Sequence, residues 1–307
     1  MMILCNDLGE SGIAAAANIL SSGGAALDAI EAGIRVTEKD PSVRYVGLGG
    51  DPNILGEMEL DAAIMDGSTG QAAGVGALKG FLHPISVARK IMTELPHVML
   101  VGEGAARFAG EIGAERADLL TAEAKKRYNQ WINSRLPDQY HHSVDTVELK
   151  SYVWPEKESR ARRDTVVYIA IDNSGSIAAG TSSSGWGYKY PGRLGDSPII
   201  GAGLYAQNGA GACVCTHTGE MSIRTAAAAT TVRFMQQGLS VKEALHRTML
   251  EVAKLSGGYR GSLAIYAVNC KHETHALFYG NRAAIPKYCL WQNNTQEFNL
   301  APDYYCH

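Results

Sequence analysis

Residues 164–185, DTVVYIAIDNSGSIAAGTSSSG, carry the strongest β-structure signal in the chain. Apolar residues that favour β-structure fill positions 166–171 and resume at position 177. The Asn173-Ser174-Gly175 segment between them is typical of a tight turn that joins two antiparallel strands. The sequence therefore predicts a β-hairpin whose ordered part starts abruptly at Thr165.

The segment before this hairpin has a different character. Residues 121–164 carry many charges and show weak hydrophobic periodicity, so we interpret them as a helix of uncertain extent followed by a mobile linker. Such linkers are favoured sites of cleavage. Cleavage of the Asp164–Thr165 bond would give Thr165 a free α-amine beside its own hydroxyl. An α-amine has a reference pKa of about 7.7–8.0, so it can accept the hydroxyl proton near neutral pH. The alternative is an ordinary junction between a linker and a strand.

The glycine-flanked motif PGRLGDSP, residues 191–198, places two opposite charges three positions apart. The Arg193 guanidinium can hold an α-carboxylate through two parallel hydrogen bonds, and Asp196 can hold an α-ammonium. Together they would bind the backbone end of a free amino acid. The alternative is a surface turn with an exposed ion pair, which would contribute little to stability.

Two further motifs carry hydroxyl groups after strands. In THTGE, residues 216–220, the Thr216 hydroxyl and a backbone N–H can form an oxyanion hole. The alternative is that this motif is the start of a helix. In GTSSSG, residues 180–185, several hydroxyls follow a strand, and the alternative is a polar turn.

The other helices and strands are predicted from hydrophobic periodicity and from start and stop signals. The predicted helices cover residues 11–21, 25–38, 84–95, 102–112, 221–237 and 241–255, the last with a Ser240/Glu243 capping box. The predicted strands cover residues 60–66, 72–79, 97–102, 261–270 and 274–280, the last two as a final hairpin. Residues 44–57 and 185–213 are predicted to be loop-like or glycine-rich. The order has no βαβ rhythm and favours a mixed α+β protein.

Composition excludes several classes of function. A net charge of −3 and a pI of about 6.3 give no broad basic surface that would bind nucleic acid. No run approaches about 18 consecutive apolar residues, so no membrane span is predicted. The N-terminal residues lack a basic region and a long apolar region, so we expect a cytoplasmic protein with reduced cysteines. Cys213 and Cys215 would share one strand face, where core packing is favoured over a metal pair.

Taken in this order, the motifs resemble the asparaginase/glycosylasparaginase family of N-terminal nucleophile (Ntn) hydrolases. The first half is carried by SSGGAALDAIEAG (21–33), GLGGDPNILGEMELDAAIMDG (47–67) and HPISVARKIMTELPHVMLVGEGA (83–105). The hairpin, PGRLGDSP and THTGE carry the second half. The resemblance implies a single Ntn-hydrolase domain over residues 1–307, a four-layer αββα sandwich, and self-cleavage into an α chain (1–164) and a β chain (165–307). It also implies a homodimer of cleaved αβ units, an asparagine-like small-molecule substrate, and no metal or organic cofactor.

The resemblance also implies roles for individual residues. Asp164 and Thr165 flank the cleaved bond, Thr165 is the nucleophile, and Ser183 is a hydroxyl that contacts it. Arg193 binds the substrate carboxylate, Asp196 binds the substrate amine, and the backbone of Gly219 lines the amine site. The Thr216 hydroxyl and the N–H of His217 stabilise the oxyanion.

Several positions depart from the family pattern. Asp7 stands where a Trp near the substrate is usual, Val167 and His217 replace glycines, and Ser183 replaces a Thr. Asp164 is typical of the glycosylasparaginase branch, so cleavage of N4-substituted asparagine is the leading function. The alternatives are an L-asparaginase or isoaspartyl dipeptidase, and an uncleaved, inactive homologue that binds an amino-acid-like ligand.

Overall fold

Two β-sheets form the framework of the protein. The structure is a computed structural model that describes residues 1–141, 143–153, 165–280, 285–292, 294–301 and 303–305. Asp164, the residue predicted to precede the cleaved bond, lies outside the described residues. Most neighbouring strands in both sheets run antiparallel.

The first sheet contains eight strands. They are β1 (Met2–Asn6), β2 (Leu60–Asp66), β3 (Ala72–Leu78), β4 (Met99–Val101), β5 (Val166–Ile171), β6 (Ile177–Ser183), β11 (Lys287–Gln292) and β12 (Thr295–Leu300). Their spatial order is β12-β11-β1-β5-β6-β2-β3-β4. The predicted hairpin is confirmed as β5 and β6. Its turn is stabilised by the Asp172 carboxylate, which accepts hydrogen bonds from the backbone N–H groups of Ser174 and Ser176 at 2.9 and 3.1 Å.

The second sheet contains five strands. They are β7 (Leu204–Gln207), β8 (Gly211–His217), β9 (Leu263–Asn269), β10 (Thr274–Tyr279) and β13 (Asp303–Tyr305), in the spatial order β13-β10-β9-β8-β7. The predicted hairpin at residues 261–280 is confirmed as β9 and β10. Cys213 and Cys215 both lie in the apolar cluster on one face of β8, as core packing predicted.

Eight α-helices accompany these sheets in the described part of the chain. They are α1 (Ile13–Ser21), α2 (Ala26–Lys39), α3 (Pro84–Glu94), α4 (Gly102–Glu111), α5 (Ala122–Arg135), α6 (Gly219–Thr225), α7 (Ala227–Gln236) and α8 (Val241–Ala253). The first four share an apolar cluster with one face of the first sheet. The last three share another with one face of the second sheet. None of these helices is both long and apolar enough to cross a membrane.

Strand β5 shows why its sequence is apolar throughout. Val166, Tyr168 and Ala170 belong to the cluster beneath the helices. Val167 and Ile169 alternate with them and belong to a separate cluster that contains apolar residues of both sheets. A strand buried on both faces shows a continuous apolar run rather than alternation. The fold is therefore α+β, and both faces of the central hairpin are covered.

Helix α2 lies close to β5 and β6 because glycines occupy its points of contact. A Cβ added at Gly33 of α2 would lie 2.8 Å from the Tyr168 ring, and one added at Gly180 of β6 would lie 2.3 Å from Ile30. Neither approach is possible for a real side chain. The close contact fixes the position of β5, whose first residue follows Thr165 directly.

Three sequence predictions differ from the structure. The predicted helix 221–237 is two helices, because Ala226 adopts a left-handed conformation (φ +47°) between α6 and α7. The glycine-rich stretch 185–213 contains β7 and the beginning of β8. The β9–β10 hairpin is not the last, since β11, β12 and β13 follow it. In addition, β3 and β4 pair in parallel around α3, so one βαβ unit exists where none was expected.

Candidate active site

Thr165 lies at the beginning of β5 and is 5% exposed. Its carbonyl accepts a hydrogen bond from the Asn6 side-chain amide at 2.8 Å, and the Asn6 side-chain oxygen accepts one from Val167 N–H at 3.3 Å. Asn6 ends β1, the neighbouring strand, so its side chain continues the pairing of β1 with β5 past the last backbone partners. The sequence did not predict this role for Asn6, and its position after an apolar strand carries no specific signal.

A small cavity opens beside Thr165. Its lining consists of Thr165, Ser183, Gly185, Trp186, Arg193, Gly195, Asp196, Ser197 and His217. The structure thus brings five predicted site residues together from segments that are far apart in the sequence. Of the other predicted residues, Asp164 lies outside the described part of the chain, Thr216 is fully buried, and Gly219 packs against Asp196. A Cβ at Gly219 would lie 2.5 Å from the Asp196 nitrogen, so this position requires glycine.

The Thr165 hydroxyl lies 3.1 Å from the hydroxyl of Ser197, a residue that the sequence reasoning missed. Ser197 is held in turn by its carbonyl, which accepts a hydrogen bond of 2.6 Å from the Thr181 hydroxyl. The Ser183 hydroxyl accepts a hydrogen bond from Gly185 N–H at 2.8 Å and also lines the cavity. Ser197 follows Asp196 in the PGRLGDSP motif. Its hydroxyl stands beside a predicted binding residue, and this position is the signal by which the sequence could have identified it.

Arg193 is already engaged by a protein carboxylate. Its Nε and Nη2 atoms donate to the Glu220 Oε1 atom at 3.0 and 2.7 Å. Its guanidinium also lies over the Trp186 ring, 4.3 Å from the ring centroid. Stacking and a fork of hydrogen bonds orient a planar guanidinium more firmly than either alone. Trp186 and Glu220 were not among the predicted site residues, since no sequence pattern connects either of them with Arg193.

Asp196 is the buried anion of the cavity, with 2% of its surface exposed. Burial raises its pKa from the ordinary value of 3.8 to about 6, although the Ser222 hydroxyl, which donates to the carboxylate, and the positive charge of Arg193 oppose this rise. At neutral pH the group is mostly ionised and incompletely compensated. An ammonium group that entered the cavity would supply the missing positive charge.

At the end of β8, the side chains of Thr216 and His217 contact each other. The Thr216 hydroxyl and the His217 Nδ1 atom lie 2.7 Å apart, and the tautomer of the ring decides which of them donates. His217 has φ +85°, a region that side-chain-bearing residues rarely adopt. Its ring lies 5.6 Å from the Phe278 ring, measured between centroids. A titratable ring therefore contacts the hydroxyl that the sequence assigns to the oxyanion hole.

A cluster of buried charges anchors the loop that carries Arg193. The Lys189 ammonium, 1% exposed, lies 3.9 Å from the Glu59 carboxylate, 3.8 Å from the Asp61 carboxylate, and 3.2 Å from the Glu59 carbonyl. Gly192 N–H donates to the Glu59 carboxylate at 3.1 Å. Burial lowers the pKa of Lys189, while Asp61 and Glu59 oppose this effect. These contacts, together with the pairing of Arg193 with Glu220, hold the loop in place.

The departures from the family pattern occupy different places. Asp7 is partly buried in the 3-10 turn Asp7–Gly12, and Val167 is buried in the core between the sheets; neither lines the cavity. Ser183 and His217 do line it. The cavity lining therefore departs from the family pattern at Ser183, which keeps the hydroxyl of the usual Thr, and at His217, which adds an imidazole.

Known proteins match most of the chain. The family model described as asparaginase matches residues 9–288. An N(4)-(β-N-acetylglucosaminyl)-L-asparaginase of Elizabethkingia miricola is 40% identical over 237 residues, which is 77% of this chain and 64% of the relative. A plant-type L-asparaginase of Pyrococcus abyssi is 38% identical over 264 residues (83% of each chain). An isoaspartyl peptidase of Salmonella typhimurium is 37% identical over 248 residues (80% of this chain and 76% of the relative).

Proposed function

The chain belongs to the asparaginase family, and from this premise we propose that it is a self-processing amidohydrolase that uses Thr165 to cleave the side-chain amide of asparagine or an N4-substituted asparagine. One observation carries the proposal: Thr165 lines the same cavity as Arg193 and Asp196. A nucleophile is thereby placed next to a cation and an anion that suit the carboxylate and the ammonium of an amino acid.

The first step of the proposal is cleavage before Thr165. The Thr165 hydroxyl attacks the carbonyl carbon of residue 164, and the C–N bond of the peptide breaks as an ester forms. The nitrogen takes up the proton and becomes the α-amine of Thr165. Water then hydrolyses the ester and releases the α chain (1–164) from the β chain (165–307).

Substrate hydrolysis follows the same chemistry on an external amide. The α-amine of Thr165 accepts the hydroxyl proton while the oxygen attacks the side-chain amide carbon, and the amine then passes the proton to the leaving nitrogen. The Thr216 hydroxyl and the His217 N–H stabilise the oxyanion. Arg193 and Asp196 hold the backbone end of the substrate, and the Ser197 hydroxyl keeps the Thr165 hydroxyl aimed at the cavity. Water finally cleaves the aspartyl ester.

The finer architecture is part of the same proposal. The three apolar clusters, with helices beside each sheet and a shared core between the sheets, support a four-layer αββα sandwich of the Ntn-hydrolase type. We also propose that residues 1–307 form a single domain with a cleavable linker, and that two cleaved αβ units associate as a homodimer.

The leaving group separates the leading function from its nearest rival. Glycosylasparaginase activity is favoured by the name of the Elizabethkingia miricola relative and by Asp164. L-Asparaginase or isoaspartyl peptidase activity is favoured by the names of the other two relatives. His217 in the cavity lining also favours L-asparaginase or isoaspartyl peptidase activity, because a side chain in place of glycine leaves less room for a sugar.

The decisive experiment begins with intact mass spectrometry of the wild-type protein after prolonged incubation. We expect two fragments that divide at Asp164/Thr165, and the same fragments from Thr165→Ser, which keeps the hydroxyl. Thr165→Ala should remain whole, and Thr93→Ala, an exposed Thr on α3, should be cut like the wild type. A wild-type chain that stays whole would contradict the proposal and favour an inactive homologue that binds a ligand.

A substrate panel then identifies the leaving group. Steady-state kinetics on asparagine, a β-aspartyl dipeptide and N4-glycosyl-asparagine rank the three candidate substrates by kcat/KM. A cut protein that hydrolyses none of them would refute the amidohydrolase assignment.

A further inference from the structure

The hydrogen bond between Thr216 and His217 can run in either direction. A threonine hydroxyl carries one proton, and an imidazole nitrogen either donates or accepts one hydrogen bond. The Thr216 Oγ1 and His217 Nδ1 atoms are 2.7 Å apart, so one of them must donate to the other. The direction of this bond decides where the Thr216 proton points.

The two directions have opposite consequences for catalysis. When Nδ1 lacks a proton, the Thr216 hydroxyl donates to the ring, and its only proton is unavailable to an oxyanion. When Nδ1 bears a proton, the ring donates, and the hydroxyl proton is free to point toward the negative charge that develops on the substrate. Loss of one oxyanion donor typically lowers kcat by about 10²–10³-fold.

The surroundings hold this ring in position. His217 pairs with Leu263 of β9, and the next residue, Thr218, donates its N–H to the Ser262 carbonyl at 2.9 Å. The ring contacts Phe278 on its other side, at a centroid distance of 5.6 Å. The backbone of the turn is therefore fixed at both ends, and the direction of the bond is changed by moving a proton rather than by moving the chain.

Charged groups near the ring have to be considered with it. The cavity that His217 lines also contains Arg193 and Asp196, and Glu220 pairs with Arg193. Phe278 of β10 and Leu263 of β9, which pack against His217, carry no charge. After cleavage the α-amine of Thr165 joins this set. Titration of Asp196 acts on substrate binding and hence on KM, whereas the direction of the hydrogen bond between Thr216 and His217 acts on the oxyanion and hence on kcat.

We propose that His217 is a positioning residue that controls the oxyanion hole: proton donation from its Nδ1 atom to Thr216 releases the Thr216 hydroxyl for the oxyanion. This inference rests on the proposed function and adds a pH response that a glycine at this position does not provide. It predicts that kcat of the wild-type enzyme falls where Nδ1 loses its proton, because the Thr216 hydroxyl then donates to the ring.

The pH profile of kcat on a β-aspartyl amide tests this proposal with two variants. His217→Asn keeps a side-chain N–H near the position of Nδ1 and tolerates positive φ, so its kcat should stay high where that of the wild type has fallen. His217→Gly releases the Thr216 hydroxyl altogether and should behave in the same way. We expect the wild type to lose about 10²-fold of kcat on the alkaline side, which is the lower end of the 10²–10³-fold range for one donor.

The matched control is His272→Gly. His272 also has positive φ (+67°), but it lies in the turn between β9 and β10 and not in the cavity lining. This variant reports the effect of relieving backbone strain alone, and its kcat profile should coincide with that of the wild type. If both His217 variants also keep the wild-type alkaline decline, the proposal is wrong.

A second measurement does not depend on activity. Nitrogen NMR of the histidine rings in the uncut Thr165→Ala chain reports whether His217 Nδ1 carries a proton, and Thr216→Val removes the hydroxyl partner. A shift of the His217 Nδ1 signal in Thr165→Ala/Thr216→Val supports the bond; an unchanged signal overturns it. A wild type that neither cleaves itself nor hydrolyses substrate would refute the proposed function, while the NMR result would still decide the inference about His217.

Discussion

Replacing Asp196 by Asn should stabilise the folded protein at neutral pH while it abolishes substrate binding. The buried carboxylate has its pKa raised from 3.8 to about 6, first because of burial. Each pKa unit corresponds to about 1.36 kcal/mol, so the ionised group costs the folded state about 3 kcal/mol at neutral pH. Asn has nearly the same shape, carries no charge, and can still accept the hydrogen bond from Ser222.

The sign of the pH dependence follows from the direction of the shift. A raised pKa means that the folded state binds the proton more tightly than the unfolded state. The stabilisation from this group is therefore complete below 3.8 and is lost as the pH rises to about 6. Asp196→Asn should match the unsubstituted protein in acid and exceed it at neutral pH.

The assay is thermal unfolding in the Thr165→Ala background, which keeps the chain in one piece. With about 2.1 cal/mol/K of unfolding entropy per residue over 307 residues, about 3 kcal/mol corresponds to a rise in Tm of about 5 °C. Asp66→Asn serves as the control, because its effect on stability at neutral pH should be opposite in sign. The hydrogen bonds from Ser68 and Thr69 lower the pKa of Asp66 despite partial burial, so this variant should lose stability at neutral pH. An Asp196→Asn protein that melts at or below the parent temperature at neutral pH would refute the reasoning.

Three further substitutions test other contacts of the site. Ser197→Ala removes the hydroxyl 3.1 Å from that of Thr165; because one hydrogen bond contributes about 0.5–1.5 kcal/mol, steady-state kinetics should show kcat about two- to tenfold lower with KM nearly unchanged. Arg193→Lys keeps the charge but loses the planar fork, and we expect KM to rise by about tenfold or more, equivalent to about 1.4 kcal/mol, with a smaller change in kcat. Lys189→Met removes the buried cation beside the Glu59 and Asp61 carboxylates and should cost about 3–5 kcal/mol in an unfolding experiment, whereas Lys90→Met, on the exposed side of α3, should change stability little. Equal melting temperatures for these two variants would argue against the buried ion cluster.

The parts of the fold that the sequence predicted are those with a local signal. Helix α3 begins at Pro84, α8 has its Ser240/Glu243 capping box, and β5 and β6 flank a turn with Gly175 at positive φ. Each of these signals acts within a few residues of the element that it defines. The break at Ala226 has no such signal, since alanine favours helix and stands in an alanine-rich run.

The residues of the candidate site also divide into those with a local sequence signal and those without one. Thr165 was recognisable because an abrupt change in composition precedes it, and Arg193 and Asp196 because charges stand out among glycines. Asn6 is 159 positions away from Thr165, and no local pattern connects them. Glu220 was considered only as part of a helix start, because its pairing with Arg193 depends on how β8 and the preceding loop pack. Contacts that the tertiary structure creates were therefore the ones missed.

The charges of the cavity connect the proposed cleavage with the proposed substrate binding. Among the described residues, Arg193 supplies one positive charge, and Asp196 and Glu220 supply two negative charges. The proposed cleavage would add the α-amine of Thr165 and so bring a proton-binding group to a cavity with an excess of negative charge. We expect this new cation to lower the pKa of Asp196 from its value of about 6 in the uncut chain. The cut wild type should accordingly lose less stability than Thr165→Ala as the pH rises from acid to neutral. Equal losses in the two proteins would mean that the α-amine lies too far from Asp196 to share the cavity with it, and that the proposed base is misplaced.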